Sequence, residues 1–186
     1  MENPIRDPRT LVEPATSKEA LDALDHAHRQ IIASEVAALV AITRAADLWQ
    51  VDETAVGEGI ERLMQPGHDG TPLVGEFLAL EIGPLLGISP QSAIFQIGDA
   101  LDLRHRHPRL WQAVLAGTVR VWQAKKVCLE CAHLSAEAAL NVDQAMSAAV
   151  GVLPWARVMK ALAGQVIAAD PDLARQRAEA RRDSRK

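Results

Sequence analysis

An all-α fold, a multi-helix domain with a long N-terminal helix and a helix-turn-helix-like centre, is predicted by three observations on this 186-residue sequence. Apolar residues recur at the three-and-four spacing of a helix face in segment after segment, and no segment sustains the alternation of a half-buried strand. The composition is 48% hydrophobic with much alanine, whereas Phe, Trp and Tyr together make 3%. That balance suits closely packed helices better than sheets. Finally, one apolar-periodic segment breaks at Leu86-Gly87-Ile88-Ser89 and restarts at once. Gly87 can take the positive φ of a sharp exit, Ser89 can cap the next helix, and Pro90 suits its first position, where a missing N–H costs nothing. Two helices joined in this way can place the second in a DNA groove.

Residues 1–16 carry Pro4, Pro8 and Pro14 and read as a poorly ordered lead-in. Ser17 then opens a helix expected to end near Trp49. Along it Leu21, Leu24, His28, Ile31, Glu35, Ala38, Ile42 and Trp49 form a stripe widened by Ile32 and Leu39, which can pack on the body or on a second copy of itself. Residues 50–72 are acidic and end in QPGHDGTP, almost all turn formers, so a linker or exposed loop is expected there, with a short helix at Val56–Met64. The helical domain spans 73–182, with helices expected at Leu73–Leu86, Ser89–Leu103, Pro108–Ala116, Val121–His133, Ser135–Ala149, Pro154–Ala168 and Pro171–Arg182, and a tail over 183–186. Within it, Leu115–Val119 reads as a helix stop at Gly117 and a restart near Thr118. No repeat at solenoid spacing is present.

The formal net charge is −4 and is unevenly spread. Residues 1–70 hold 6 Lys/Arg against 13 Asp/Glu, and residues 71–186 hold 14 against 11, so the first part carries −7 and the second +3. Arg104, Arg106, Arg109, Arg120, Lys125 and Lys126 lie between Asp102 and Glu130 with no acid among them. Such a stripe can meet phosphates on an acidic protein, or it can be a solvated helical face. Apolar runs fall short of the roughly 20 residues that span a bilayer, and the acidic, Pro-containing start lacks a signal-peptide pattern. A cytoplasmic chain is expected.

The runs TPLVGEF, LLGIS, GDALDLRHRHPRLW and AGTVRVWQAKKV resemble the bacterial domain of unknown function 222, also called the thirteen-E-twelve repeat family. The resemblance covers 17–182 and is strongest over 71–127. It implies the helical region that stands in front of an HNH endonuclease module, where a later ββα unit supplies histidines and an asparagine around a metal. The sequence stops at Lys186 before any such unit, so the resemblance implies an accessory part without catalytic residues. Relatives commonly place arginines in the second helix of the helix-turn-helix, a departure that weakens base reading here.

On that second helix Ala93 and Ile97 are expected to face the core, with Gln91, Ser92, Ile94 and Phe95 towards the groove side. Only Gln91 and Ser92 of these can hydrogen-bond a base edge, and Ile94 and Phe95 point to burial against another helix. The nucleic-acid-binding candidates are therefore Gln91 and Ser92 together with Arg104, Arg106, Arg109, Arg120, Lys125 and Lys126, acting mainly on the backbone. Cys128, Cys131 and His133 do not complete a tetrahedral zinc set, and two buried, reduced thiols are expected instead. The pairs His26/His28 and His105/His107 read as exposed or half-buried, and His68-Asp69 as a turn without a partner. Trp111, Trp122 and Trp155 read as core anchors. Glu76 and Glu81 do not share a helix face, and no phosphate loop, dinucleotide fingerprint, zinc-protease motif or nucleophile elbow is present. No cofactor, metal or catalytic residue is expected. A DNA-associated accessory module and a protein-association module built on the long helix both remain open.

Overall fold

The Thr16 hydroxyl accepts from the Glu19 amide at 3.2 Å, and behind this cap a single helix, α1, runs over Ser17–Leu48. The computed structural model describes residues 13–172 and Arg175. Most of the expected lead-in, most of the expected helix at 171–182 and the 183–186 tail lie outside the described residues. The remaining helices are α2 (Glu53–Gly57), α3 (Leu78–Leu86), α4 (Pro90–Arg106), α5 (Pro108–Leu115), α6 (Val121–Glu130), α7 (Ala136–Met146) and α8 (Trp155–Ala169). No single helix among the described residues is long and apolar enough to cross a membrane.

The helix-turn-helix forms as its turn residues dictate. Gly87 sits at φ 65°, the Ser89 hydroxyl accepts from the Ser92 amide, and Pro90 occupies the first position of α4. The axes of α3 and α4 turn through 101° between them. Helix α4 is then the central element, because its two flanks feed two apolar clusters. Ala93, Ile97 and Leu101 join Val74, Leu78 and Ile82 in the smaller one. Ala100 and Leu103 join Leu110, Val127, Val142 and Leu162 in the larger. Ile42 of α1 packs against both.

Residues 50–72 are largely exposed, as a linker or exposed loop would be, with Glu61 and Thr71 buried. The expected helix at 56–64 is one turn, α2, ended before Gly59, and the chain then pairs as a short antiparallel ribbon of β1 (Leu63–Met64) and β2 (Val74–Gly75). A sheet-free chain was the expectation, and two-residue strands carry too little alternation to be read. Glu61, buried under the ribbon, accepts from the Trp49 indole N–H at 3.0 Å. The turn-rich stretch lies flat on α4 at Gly98, where an added Cβ would sit 2.3 Å from the Pro66 carbonyl oxygen. A backbone carbonyl cannot rotate aside as a side chain can. Gly98→Ala is therefore expected to cost about 1–3 kcal/mol and to speed amide exchange across 65–72. An unchanged melting temperature would show that the close approach is not what requires glycine.

Candidate nucleic-acid interface and association surface

The first half of α4 presents its end to solvent. Gln91 and Ser92 are exposed, with the Ser92 hydroxyl 3.0 Å from that of Ser89, while Ala93 and Ile97 are buried as their spacing requires. Phe95 is corrected: it is 63% exposed rather than buried against another helix, and Ile94 is half-buried. Leu80, Leu85 and Leu86 of α3 are also exposed. The outer surface of the helix-turn-helix is thus more apolar than a groove-reading surface, with two neutral polar side chains and no cation on its leading turns.

The basic stretch has no acid beside it in sequence, yet carboxylates from elsewhere meet most of it in space. Arg104 reaches Asp47 of α1 at 2.6 Å. Both Nε and Nη2 of Arg120 donate to the Glu35 carboxylate, at 3.0–3.3 Å. Lys125 lies 3.3 Å from Asp99 and also donates to the Gln96 side chain. Lys126 pairs with Glu130 at 2.7 Å. The Arg109 side chain is exposed, and its backbone N–H donates to Asp143. Arg106 is a clear correction to the outer stripe. Its guanidinium is buried, donating from Nη2 to the carbonyls of Leu134 at 2.6 Å and Cys131 at 3.1 Å, with Nη1 3.5 Å from Asp102. It ties α4 to the end of α6 and is closed to a phosphate.

Asp102 also organises the loop lying on α4. Its carboxylate accepts from the His68 amide at 2.8 Å and holds the His68 ring at 2.5 Å through Nδ1. His68 is therefore not the unpartnered turn residue expected. Neighbouring Asp69 accepts from the Ala136 amide at the start of α7, and Asp143 accepts from the Arg109 and Leu110 amides at the start of α5. These carboxylates add caps from a distance to helix starts that Ser135 and Pro108 already mark locally. Burial of Asp143 raises its carboxyl pKa, a shift opposed by those two N–H donors.

His107 is likewise corrected from exposed or half-buried to fully buried, at the joint of α4 and α5, with neither ring nitrogen hydrogen-bonded. Desolvation, reinforced by the Arg106 charge, pushes its pKa down to about 4, so the ring is neutral. Cys128 and Cys131 are free, buried thiols. Burial raises the pKa of Cys128 well above its ordinary value and that of Cys131 to about 12, so neither offers a thiolate at neutral pH. Among the described residues no three His, Cys, Asp or Glu side chains group in a way that could hold a metal ion. Trp111 and Trp155 are half-buried, but Trp122 is exposed and stands edge-on to Trp155 with ring centroids 4.9 Å apart. The core-anchor reading does not extend to it.

Among the described residues, the first half of α1 stands exposed. In its second half α1 packs on the body through Leu39, 3% exposed, buried Thr43 and half-buried Ile42, while Ala38 of the stripe is exposed. The same stripe continues towards the N-terminus through Ile31, Leu24 and Leu21, which are 52%, 65% and 66% exposed. On a neighbouring face Ile32, Val36 and Val40 line an open apolar groove of about 820 Å³ with Leu115 of α5. Comparison with protein families, with curated proteins and with solved structures finds no match for the chain.

Proposed function

We propose that this chain is a non-catalytic helical association module, in which the bare N-terminal half of α1 takes a partner helix and the helix-turn-helix serves as a packing corner. The observation that supports it most strongly is that α1 packs on the body through Leu39, Ile42 and Thr43 in its second half, while Leu21, Leu24 and Ile31 of its first half are exposed. A seam of Leu and Ile left in water forgoes the burial that stabilises α3 to α8. Its context, by resemblance to the domain of unknown function 222, is the accessory region of an HNH-endonuclease-type protein.

DNA-associated targeting is the second reading, favoured by the 101° turn between α3 and α4 and by the exposed Gln91 and Ser92. It ranks lower because Arg104, Arg120, Lys125 and Lys126 already meet carboxylates, so a phosphate has to displace them.

Two measurements separate these readings. Sedimentation across a concentration series is expected to show mass rising with concentration, a rise lost in Leu24→Asp. Retention of duplex DNA at physiological salt is expected to be absent. A chain monomeric at every concentration would overturn the association reading, and the more so if it retained duplex with a slope of roughly 0.9 per neutralised phosphate on a log-log salt plot. In that outcome Arg104→Gln with Arg109→Gln should flatten the slope, whereas Arg106 belongs to the core and is no probe of the surface.

A further inference from the structure

The bare half of α1 carries an edge pattern that selects both its partner and the direction of pairing. Leu21, Leu24, His28 and Ile31 form the centre of the seam. Along one edge, one heptad apart, stand Ala20, Ala27 and Ser34, all small; along the other stand Lys18, Asp25 and Ile32. In an antiparallel helix pair each edge meets its own counterpart, whereas in a parallel pair it meets the opposite edge. Small residues facing small residues let two helices approach at the near end of the 8–10 Å interaxial range. The Ala20/Ala27/Ser34 edge therefore matches itself, and does so only when the second helix runs the other way.

Length points to the same arrangement. The bare seam covers 17–34, about 27 Å of helix at 1.5 Å per residue, and ends where the body takes over at the Glu35–Arg120 ion pair. Two parallel seams would bring both bodies onto the same end of the same face, where they collide. Run antiparallel, each copy fills the other's bare length and the bodies stand at opposite ends.

We propose that the partner is a second copy of this chain, and that residues 17–34 of α1 pair antiparallel across a two-fold axis at the level of His26, flanked by the Ala27 side chains of the two copies. This rests on the association reading above and adds its partner and geometry. Leu21 then faces the second copy's Ile31, and Leu24 faces the second copy's His28. Glu19 arrives near the level of Arg120, and Glu13 reaches the cleft of about 430 Å³ lined by Leu39, Ile88, Trp122 and Lys125. The lining of that cleft also includes Glu35, so it carries one carboxylate and one ammonium, and Trp122 stands exposed at it. Near the axis the Asp25–Arg29 ion pairs of the two copies, each 2.5 Å within its own chain, form a four-charge cluster in which each Arg29 offsets the facing aspartates. The helix pair and its ends bury on the order of 1,000 Å² in total, the lower bound for a specific interface.

Single cysteines test orientation directly, since Cys128 and Cys131 are buried and the wild type serves as the uncross-linked control. Under mild oxidation most Ala27→Cys chains are expected to migrate at twice the chain mass, because the two thiols flank the axis. Ser17→Cys should remain single, its thiols about 27 Å apart along the helix. Leu24→Asp placed in the Ala27→Cys chain should abolish the product. Cross-linking through Ser17→Cys but not Ala27→Cys would mean a parallel pair, overturning this inference while leaving the association reading intact. A dimeric mass with neither cross-link would place the interface elsewhere and overturn it too. A monomer without cross-links would remove both.

Discussion

Replacing Arg106 by methionine is expected to destabilise the fold by about 3–5 kcal/mol, as breaking a buried charge pair does. The side chain keeps comparable length and apolar packing, so the loss reports the guanidinium. Three acceptors depend on it: the carbonyls of Leu134 and Cys131, and the Asp102 carboxylate. Once it is gone the Leu134 carbonyl loses that donor, the Cys131 carbonyl keeps only the Leu134 N–H, and Asp102 keeps only the His68 ring and amide. Arg106→Lys should recover part of the loss, because a single ammonium cannot span acceptors on two segments in the planar fork that arginine provides. Urea denaturation measures the effect. A loss below about 1 kcal/mol, the range of an exposed ion pair, would show that this guanidinium is solvated and that α4 and α6 are joined by apolar contacts alone.

Acid should destabilise the protein through His107. In the fold its pKa lies at about 4, against 6.5 for the free side chain. Between those values the unfolded chain binds a proton that the native chain refuses, so stability rises with pH across that interval and falls as the solution is acidified through it. Above pH 6.5 both states are neutral and the contribution is complete. Each pKa unit corresponds to 1.36 kcal/mol, so the full swing is on the order of 3 kcal/mol. His107→Leu removes the titration, and its stability curve should be flatter between pH 6.5 and 4 than that of the wild type. Asp143 and Asp99, whose carboxyls are raised by burial, act in the opposite direction: their contribution declines as pH rises through the folded pKa. Both are common to wild type and variant, which makes the difference between the two curves the quantity to measure. Parallel curves would mean that water reaches the ring and that its burial does not hold in solution.

The helices of this protein were legible because what makes them is local. Their hydrogen bonds join residues four apart, their faces repeat every three or four, and their starts at Ser89 and Ser135 are capped by the side chain of the residue itself. Gly87 and Pro90 announce the sharp turn by conformations that any chain context would allow. Local grammar also placed Ala93 and Ile97 inward. It failed where the decisive partner is remote in sequence. Arg104 and Arg120 look unopposed because Asp47 and Glu35 are 57 and 85 residues away, and Asp102, which positions His68 from 34 residues away, gave no local sign of that role. The strands β1 and β2 escaped notice because two residues cannot establish a period.

What the sequence by itself determined is therefore the all-helical character of the chain, the corner between α3 and α4, and the continuous apolar stripe of α1. Only the tertiary structure decided which charges remain available, that Pro66 and Gly67 lie against Gly98, and that α1 packs on the body through its second half while Leu21, Leu24 and Ile31 stay exposed. The reason is one of range. Backbone hydrogen bonds, caps and helical periodicity act over a few residues and are written in order along the chain, whereas desolvation and ion pairing depend on distances that exist only after segments far apart in sequence have met.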